Sequence, residues 1–176
     1  TAAIRDDDPV LFLENLGLYN LKGDVPDGEQ VAEIGKAAIV KEGSDITVVS
    51  YSRGVVTALD VANQLEGDGI SVEVVDLRSL RPLDRDTVCA SVRKTSRAVI
   101  FEDDLLSYGI GAEISATIGE GAFDWLDAPV RRVAGAEVPL PYSKPLELAA
   151  MPDAAALTKV IHETLSASAF EGGQHV

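Results

Sequence analysis

The chain has 176 residues, of which 46% are hydrophobic and 25% are charged, as in an ordinary soluble globular protein. Its 29 acidic residues outnumber its 15 basic residues, and the net charge of −14 argues against binding to the phosphate backbone of nucleic acids. No apolar run approaches the roughly 20 residues of a membrane-spanning helix, and the single cysteine excludes an internal disulfide or a cysteine-cluster zinc site. We therefore expect a cytoplasmic protein that binds neither nucleic acid nor membrane.

Residues 1–34 are predicted to form an arm outside the main domain. They begin with a short helical turn and continue into the apolar run "VLFLE" (Val10–Glu14), which we expect to be a strand because such a run is rarely left in water. We interpret it as the last strand of a preceding unit, and we therefore expect the chain to be part of a longer polypeptide.

Residues 35–165 are predicted to form one α/β domain, because strand-like and helix-like segments alternate along them. Strands are predicted at 37–40, 46–51, 71–77, 98–102 and 130–135, and helices at 54–69, 83–95, 109–123 and 152–165. Asp84 and Asp153 stand where a carboxylate caps the start of a helix. The alternation predicts a three-layer fold: a mostly parallel sheet of about five strands, helices on both faces, and the short first strand antiparallel at an edge. Residues 166–176 are predicted to be a mobile tail.

Ligands of such sheets bind at the carboxyl ends of the strands, so the segments that follow the predicted strands are the candidates for chemistry. The segment "VVDLRSLRPLD" carries Arg78 and Arg81, which either grip an anion or fix a corner of the chain against neighbouring protein. Asp76, Asp103 and Asp104 could together form a magnesium cup at the strand ends.

Other reactive patterns are incomplete. The glycines of "GIG" (109–111) open a helix and could hold an anion, but the third glycine of a dinucleotide signature is missing. Ser52 lacks the preceding glycine of a nucleophile elbow, and the two histidines, His162 and His175, fall in the last helix and in the tail. Cys89 lies in a predicted helix among apolar residues, as a buried inert thiol would. The residues alone predict a docking or assembly module without a self-contained catalytic site.

Acidic residues are concentrated in one part of the chain. No lysine or arginine occurs from Ala98 to Val130, whereas seven acids do: Glu102, Asp103, Asp104, Glu113, Glu120, Asp124 and Asp127. Such a stretch is either a solvated face or a surface that attracts a basic protein partner.

Three segments, in order, carry a resemblance to a known family: "GKAAIVKEGSDITVVSYSRGVVTALDVA", "VEVVDLRSLRPLD" and "LDAPVRRVAGAEVPLPY". They resemble the beta subunits of the thiamine-dependent dehydrogenase component of 2-oxo acid dehydrogenase complexes, most closely the pyruvate dehydrogenase type. The resemblance implies that residues 35–165 are a transketolase-type C-terminal domain and that residues 1–34 are the end of a pyrimidine-binding domain with a linker arm.

The same resemblance implies an activity for the complete enzyme. Such enzymes decarboxylate a 2-oxo acid oxidatively and pass the acyl group to a lipoyl arm, with thiamine diphosphate bound between alpha and beta subunits of a heterotetramer. The family's activating glutamate and catalytic histidine precede the segment present here. No catalytic or cofactor-binding residue is therefore carried over, and this chain alone is expected to be inactive.

The resemblance also implies two binding sites. Family members hold a potassium ion with the segment that here supplies Ala3, Ile4, Asp6 and Asp8; the alternative is that these aspartates simply end a helix in water. The aspartate of "LDAP" in the family contacts a basic subunit-binding domain of the dihydrolipoyl acyltransferase core, which implies that role for Asp127.

Asp124 and the acidic stretch around Asp127 suit that basic partner electrostatically. Two other interpretations stay open. The complete protein could be a branched-chain 2-oxo acid or acetoin dehydrogenase beta subunit, or the chain could be an acidic interaction module without an enzyme attached.

Overall fold

The fold is a five-stranded sheet covered by helices, and the computed structural model describes residues 1–167. The strands are β1 (Ala38–Lys41), β2 (Ile46–Ser50), β3 (Val72–Asp76), β4 (Ala98–Leu105) and β5 (Arg131–Gly135). The helices are α1 (Ala2–Arg5), α2 (Arg53–Glu66), α3 (Arg85–Thr95), α4 (Ile110–Ala122), α5 (Lys144–Ala150) and α6 (Ala154–Ser166). Two 3₁₀ helices occur at Leu16–Leu18 and Phe123–Trp125. The predicted α/β fold, with one antiparallel edge strand, is confirmed.

The order of strands in the sheet is β1-β3-β2-β4-β5, and every pair is parallel except β1 with β3. β2 is buried along its whole length, because its apolar and β-branched side chains point into helices on both faces. On one face Val48 packs with α2 and α6, and on the other face Val49 packs with α3 and α4. The core is therefore two apolar layers on either side of the sheet.

The short first strand has an unexpected neighbour. A tight turn after β1 would ordinarily pair it with β2, but β1 pairs with β3 and β2 lies beyond. The turn crosses the start of β3 so closely that a side chain at Gly43 would overlap the backbone of Val72 and Glu73. Glycine is required at this crossing by the close approach rather than by a special dihedral angle.

Two predicted helix caps are confirmed, and one helix was missed. Asp84 accepts a hydrogen bond from the Thr87 amide at 3.2 Å, and Asp153 accepts one from the Ala156 amide at 2.8 Å. Helix α5 has seven residues, begins after Ser143 and carries a proline in its first turn. It escaped prediction because it is short and most of its residues are exposed, so it has no apolar stripe.

The arm differs from its prediction. Val10–Glu14 forms no strand, because no neighbouring strand among the described residues pairs with its backbone. Leu11 and Leu13 are 91% and 83% exposed. Within residues 1–167, no helix is both long and apolar enough to cross a membrane. Helix α6 ends at Ser166, and residues 168–176 of the predicted tail lie outside the described residues.

Candidate functional site

At the carboxyl end of the sheet, the start of α4 is occupied by the protein's own carboxylate. Glu102, only 1% exposed, accepts a hydrogen bond from the Gly111 amide at 2.7 Å and another from Arg132 Nη2 at 2.9 Å. A side chain at Gly111 would overlap this carboxylate. At the "GIG" segment the helix therefore begins with its amide bound to the carboxylate of Glu102. That carboxylate takes the place that a phosphate would need.

The usual ligand crevice of an open α/β sheet lies where the chain reverses its direction of winding, which here is between β2 and β4. An ion pair closes it: Arg53 donates to both carboxylate oxygens of Asp103, from Nε at 3.2 Å and from Nη2 at 2.9 Å. Both side chains are partly exposed. In a bidentate pair of this geometry each side chain neutralises the charge of the other. Neither charge is then free to bind a ligand in the crevice.

The three acids of the predicted magnesium cup do not assemble. Asp76 ends β3 and Asp103 lies in β4, and β2 separates these strands by roughly 10 Å. Asp76 accepts a hydrogen bond from the Arg78 amide at 3.1 Å, although burial still raises the pKa of its carboxyl. No cluster of three or more histidine, cysteine or acidic side chains that could hold a metal occurs within residues 1–167.

Ser52 occupies a strand-to-helix turn with φ 53° and ψ −134°, a strained conformation for a residue other than glycine. The turn is so tight that a side chain at Gly54 would overlap the Ser50 hydroxyl. The sequence did not reveal this conformation. His162, the one histidine within residues 1–167, is exposed in the last turns of α6 and does not lie on the turn that carries Ser52. Among residues 1–167, no histidine lies beside this turn to complete a hydrolase assembly.

The "VVDLRSLRPLD" segment fixes the corner where the arm meets the domain. Ser79 Oγ accepts a hydrogen bond from the Gly35 amide at 2.9 Å, and Asp84 accepts one from the Ala37 amide at 3.0 Å. Arg78 and Arg81 remain exposed at the surface. These contacts favour the corner-fixing interpretation; the Nε of Arg78 also lies 3.8 Å from Asp76 Oδ2, at the far limit of an ion pair.

The predicted docking acids lie together at the opposite, amino end of the sheet. Asp124 is exposed in the 3₁₀ helix after α4, and Asp127 follows on the way to β5. Asp127 is held in place: its amide donates to the Ser96 carbonyl at 2.8 Å, and its carboxylate lies 3.3 Å from Arg97 Nη2. Its side chain is still 49% exposed, so the carboxylate remains accessible.

Two arginines that sequence reasoning missed organise this end. Arg93 donates from Nε to the Gly121 carbonyl at 3.1 Å, and its guanidinium lies 4.9 Å from the centre of the Trp125 ring. Arg97 pairs with Asp127, while its buried Nε has no hydrogen-bond partner among the described residues. The available signal was position for Arg93, which lies in the last turn of α3, where basic residues commonly meet backbone carbonyls.

The predicted potassium segment forms α1 and the turn after it. The Asp8 amide donates to Asp6 Oδ1 at 3.0 Å, and Ala3 and Ile4 lie in the helical turn. Asp6 and Asp8 are exposed. Carbonyl and carboxylate oxygens are the ligands that a hard cation prefers, so the donor set suits potassium, and the four residues stay a predicted site.

The transketolase C-terminal domain family matches residues 35–157 of the chain. The chain belongs to this family. A rice (Oryza sativa subsp. japonica) pyruvate dehydrogenase E1 component subunit beta-2, mitochondrial, is 52% identical over 155 residues, which are 86% of this chain and 41% of that protein. A Rickettsia bellii pyruvate dehydrogenase E1 component subunit beta is 49% identical over 150 residues, 85% of this chain and 46% of that protein.

A solved structure supports the same family. A split-gene transketolase, described as an inactive beta4 tetramer, matches with a TM-score of 0.68 and 28% identity over 78% of this chain and 44% of that chain. The chain therefore spans less than half the length of these relatives. The resemblance to dehydrogenase beta subunits is confirmed.

Proposed function

We propose that the chain is the C-terminal part of the beta subunit of a thiamine diphosphate-dependent pyruvate dehydrogenase. The observation that carries this proposal is the identity of about half the residues with subunits of that name along most of the chain. The proposed role of this part is assembly with an alpha subunit and a second beta subunit, and docking to the acyltransferase core.

The internal use of charges at the carboxyl end supports an assembly role over a catalytic one. Glu102 and Asp103 are both bound to arginines of the same chain. The cofactor would be held mainly by segments other than this one, and it would supply the carbanion chemistry of decarboxylation. Potassium at the α1 turn and a cytoplasmic location are parts of the same proposal.

Calorimetric titration of the 176-residue chain with thiamine diphosphate and Mg²⁺ tests the absence of the cofactor site. We expect no saturable heat and no decarboxylation of pyruvate with an artificial electron acceptor. Tight binding together with turnover by the chain alone would contradict the proposed role.

Titration with a basic subunit-binding domain of a dihydrolipoyl acyltransferase tests docking. Asp127→Ala should weaken binding at least tenfold at low salt, because it removes a partly exposed carboxylate from an oppositely charged interface. Asp60→Ala is the matched control, since Asp60 is an exposed acid on α2, which packs on the other face of the sheet. Equal affinity for the wild type and the Asp127 variant would remove the docking proposal.

A further inference from the structure

We propose that Phe123 and Trp125, the aromatic shelf, form with Asp124 and Asp127 a docking surface for a basic protein domain that presents an apolar side chain beside its cations. This inference rests on the docking role proposed above and extends it from two acids to a mixed apolar and acidic surface. On this proposal, burial of the two aromatic rings supplies most of the binding free energy that does not depend on salt concentration.

Much of the aromatic shelf is exposed. Phe123 is 72% exposed and Trp125 is 48% exposed, while Leu126, next in sequence, packs with the core of α3 and α4. Large aromatic side chains are costly to leave in water and dominate the energy of protein interfaces. Two of them beside two acids, on one short segment, are typical of a binding surface rather than of a solvated face.

Contacts within the chain hold Trp125 and Asp127 in place before any partner arrives. Arg93 binds the Gly121 carbonyl at 3.1 Å and stacks over one side of Trp125 at 4.9 Å. Asp127 is fixed from the other side by the Ser96 carbonyl and by Arg97. Side chains that are already held in place lose little conformational entropy on binding, so more of the contact energy of Trp125 and Asp127 appears as affinity.

The charge pattern selects a basic partner. Asp124 makes no ion pair with any of the residues 1–167, and the bond to Arg97 leaves half of the Asp127 side chain exposed. Arg97, two residues after α3, is paired with Asp127, and Arg93 in the last turn of α3 donates to the Gly121 carbonyl. With a net charge of −14 on the chain, a basic domain is attracted and an acidic one is repelled.

Salt separates the two contributions. Added salt screens the acids, because the Debye length falls to about 3 Å at 1 M ionic strength, but it does not weaken burial of an aromatic ring. We therefore expect Phe123→Ser to lower affinity about tenfold or more at both low and high salt. Asp124→Asn should lower affinity at low salt and have little effect at high salt.

Trp125 is the only tryptophan of the chain, so its emission reports on the shelf directly. The test is a fluorescence titration of the full chain with a tryptophan-free basic subunit-binding domain, with calorimetry in parallel. We expect the emission to shift to shorter wavelength at saturation, because the ring loses water. Tyr142→Ser is the matched control: Tyr142 is fully exposed but follows the carboxyl end of β5.

Each outcome is decisive. If Phe123→Ser binds like the wild type while Asp127→Ala binds weakly, the aromatic shelf is overturned and the docking proposal stands. If the emission stays constant while calorimetry detects binding, the shelf is again overturned. If Asp127→Ala also binds like the wild type, the proposed docking role fails with it. Loss of affinity in Phe123→Ser at both salt concentrations, with Tyr142→Ser unchanged, supports the inference.

Discussion

A buried carboxylate is tolerated only when its charge is neutralised and its oxygens are hydrogen-bonded, and Glu102 meets both conditions through Arg132 and the Gly111 amide. Glu102→Ala would leave Arg132 largely buried without a carboxylate. We expect the free energy of unfolding to fall by about 3–5 kcal/mol, measured by urea denaturation.

Glu120→Ala is the control for Glu102→Ala. Glu120 pairs with Arg85 on the surface, with 70% of its side chain exposed, so its loss should change the free energy of unfolding by no more than about 1 kcal/mol. Equal effects of the two substitutions would show that the buried pair at Glu102 contributes no more than a surface pair.

Asp84 should contribute a pH-dependent part of the stability. Burial would raise the pKa of its carboxyl, but hydrogen bonds from Thr87 and from the Ala37 amide outweigh burial and lower the pKa. A lowered pKa gives stability that is present above the unfolded value of about 3.9 and is lost as the pH falls through the folded value.

Asp84→Asn keeps a helix cap and removes the titration. The wild type should therefore be more stable than Asp84→Asn near neutral pH, and the difference should shrink below about pH 4. Thermal unfolding of both proteins across that range measures it. A difference that is constant with pH would show that the carboxyl does not titrate differently in the folded state.

At the residue scale, the sequence predicts local contacts and misses distant ones. The caps at Asp84 and Asp153 were predicted because each bonds an amide three residues along the chain. The pair of Glu102 with Arg132 and the pair of Arg97 with Asp127 each join residues thirty positions apart. Only the packing of β4 beside β5 and its connection brings such residues together, and no local pattern marks it.

At the scale of elements, helix α4 offers two glycines with opposite roles. Gly111→Ala would push a methyl group into the Glu102 carboxylate and should destabilise the protein by about 1–3 kcal/mol. Gly119 has open space where a side chain would go, so Gly119→Ala should stabilise the protein by up to about 1 kcal/mol through higher helix propensity. Chemical denaturation of both variants checks the prediction, and effects of the same sign would refute it.

The sheet and four of the helices followed from alternation of apolar segments, because buried parallel strands and amphipathic helices have distinct patterns. Three features did not follow. Helix α5 is too short and too exposed to carry a stripe, and β1 pairs with β3 through a crossing that depends on Gly43. The run Val10–Glu14 has the composition of a strand, but a strand needs a neighbour to pair with.

For the whole molecule, the arm should be separable from the domain. Residues 1–34 contribute nothing to the two core clusters, and several of their apolar side chains are exposed. Removal of residues 1–33 should change the free energy of unfolding by less than about 1 kcal/mol and leave the denaturant m-value nearly unchanged, since m reports the surface buried on folding. A large fall in the m-value would show that the arm packs on the domain in solution.

The length of the sheet also separates the acids at its amino end from the ion pair at its carboxyl end. A five-residue strand such as β2 is about 16 Å long, which is roughly twice the Debye length at physiological ionic strength. The acids at Asp124 and Asp127 therefore lie beyond the screened reach of the Arg53–Asp103 ion pair at the carboxyl end. Under the docking proposal, a basic domain attaches and detaches at one pole of the molecule without disturbing the Arg53–Asp103 ion pair at the other pole.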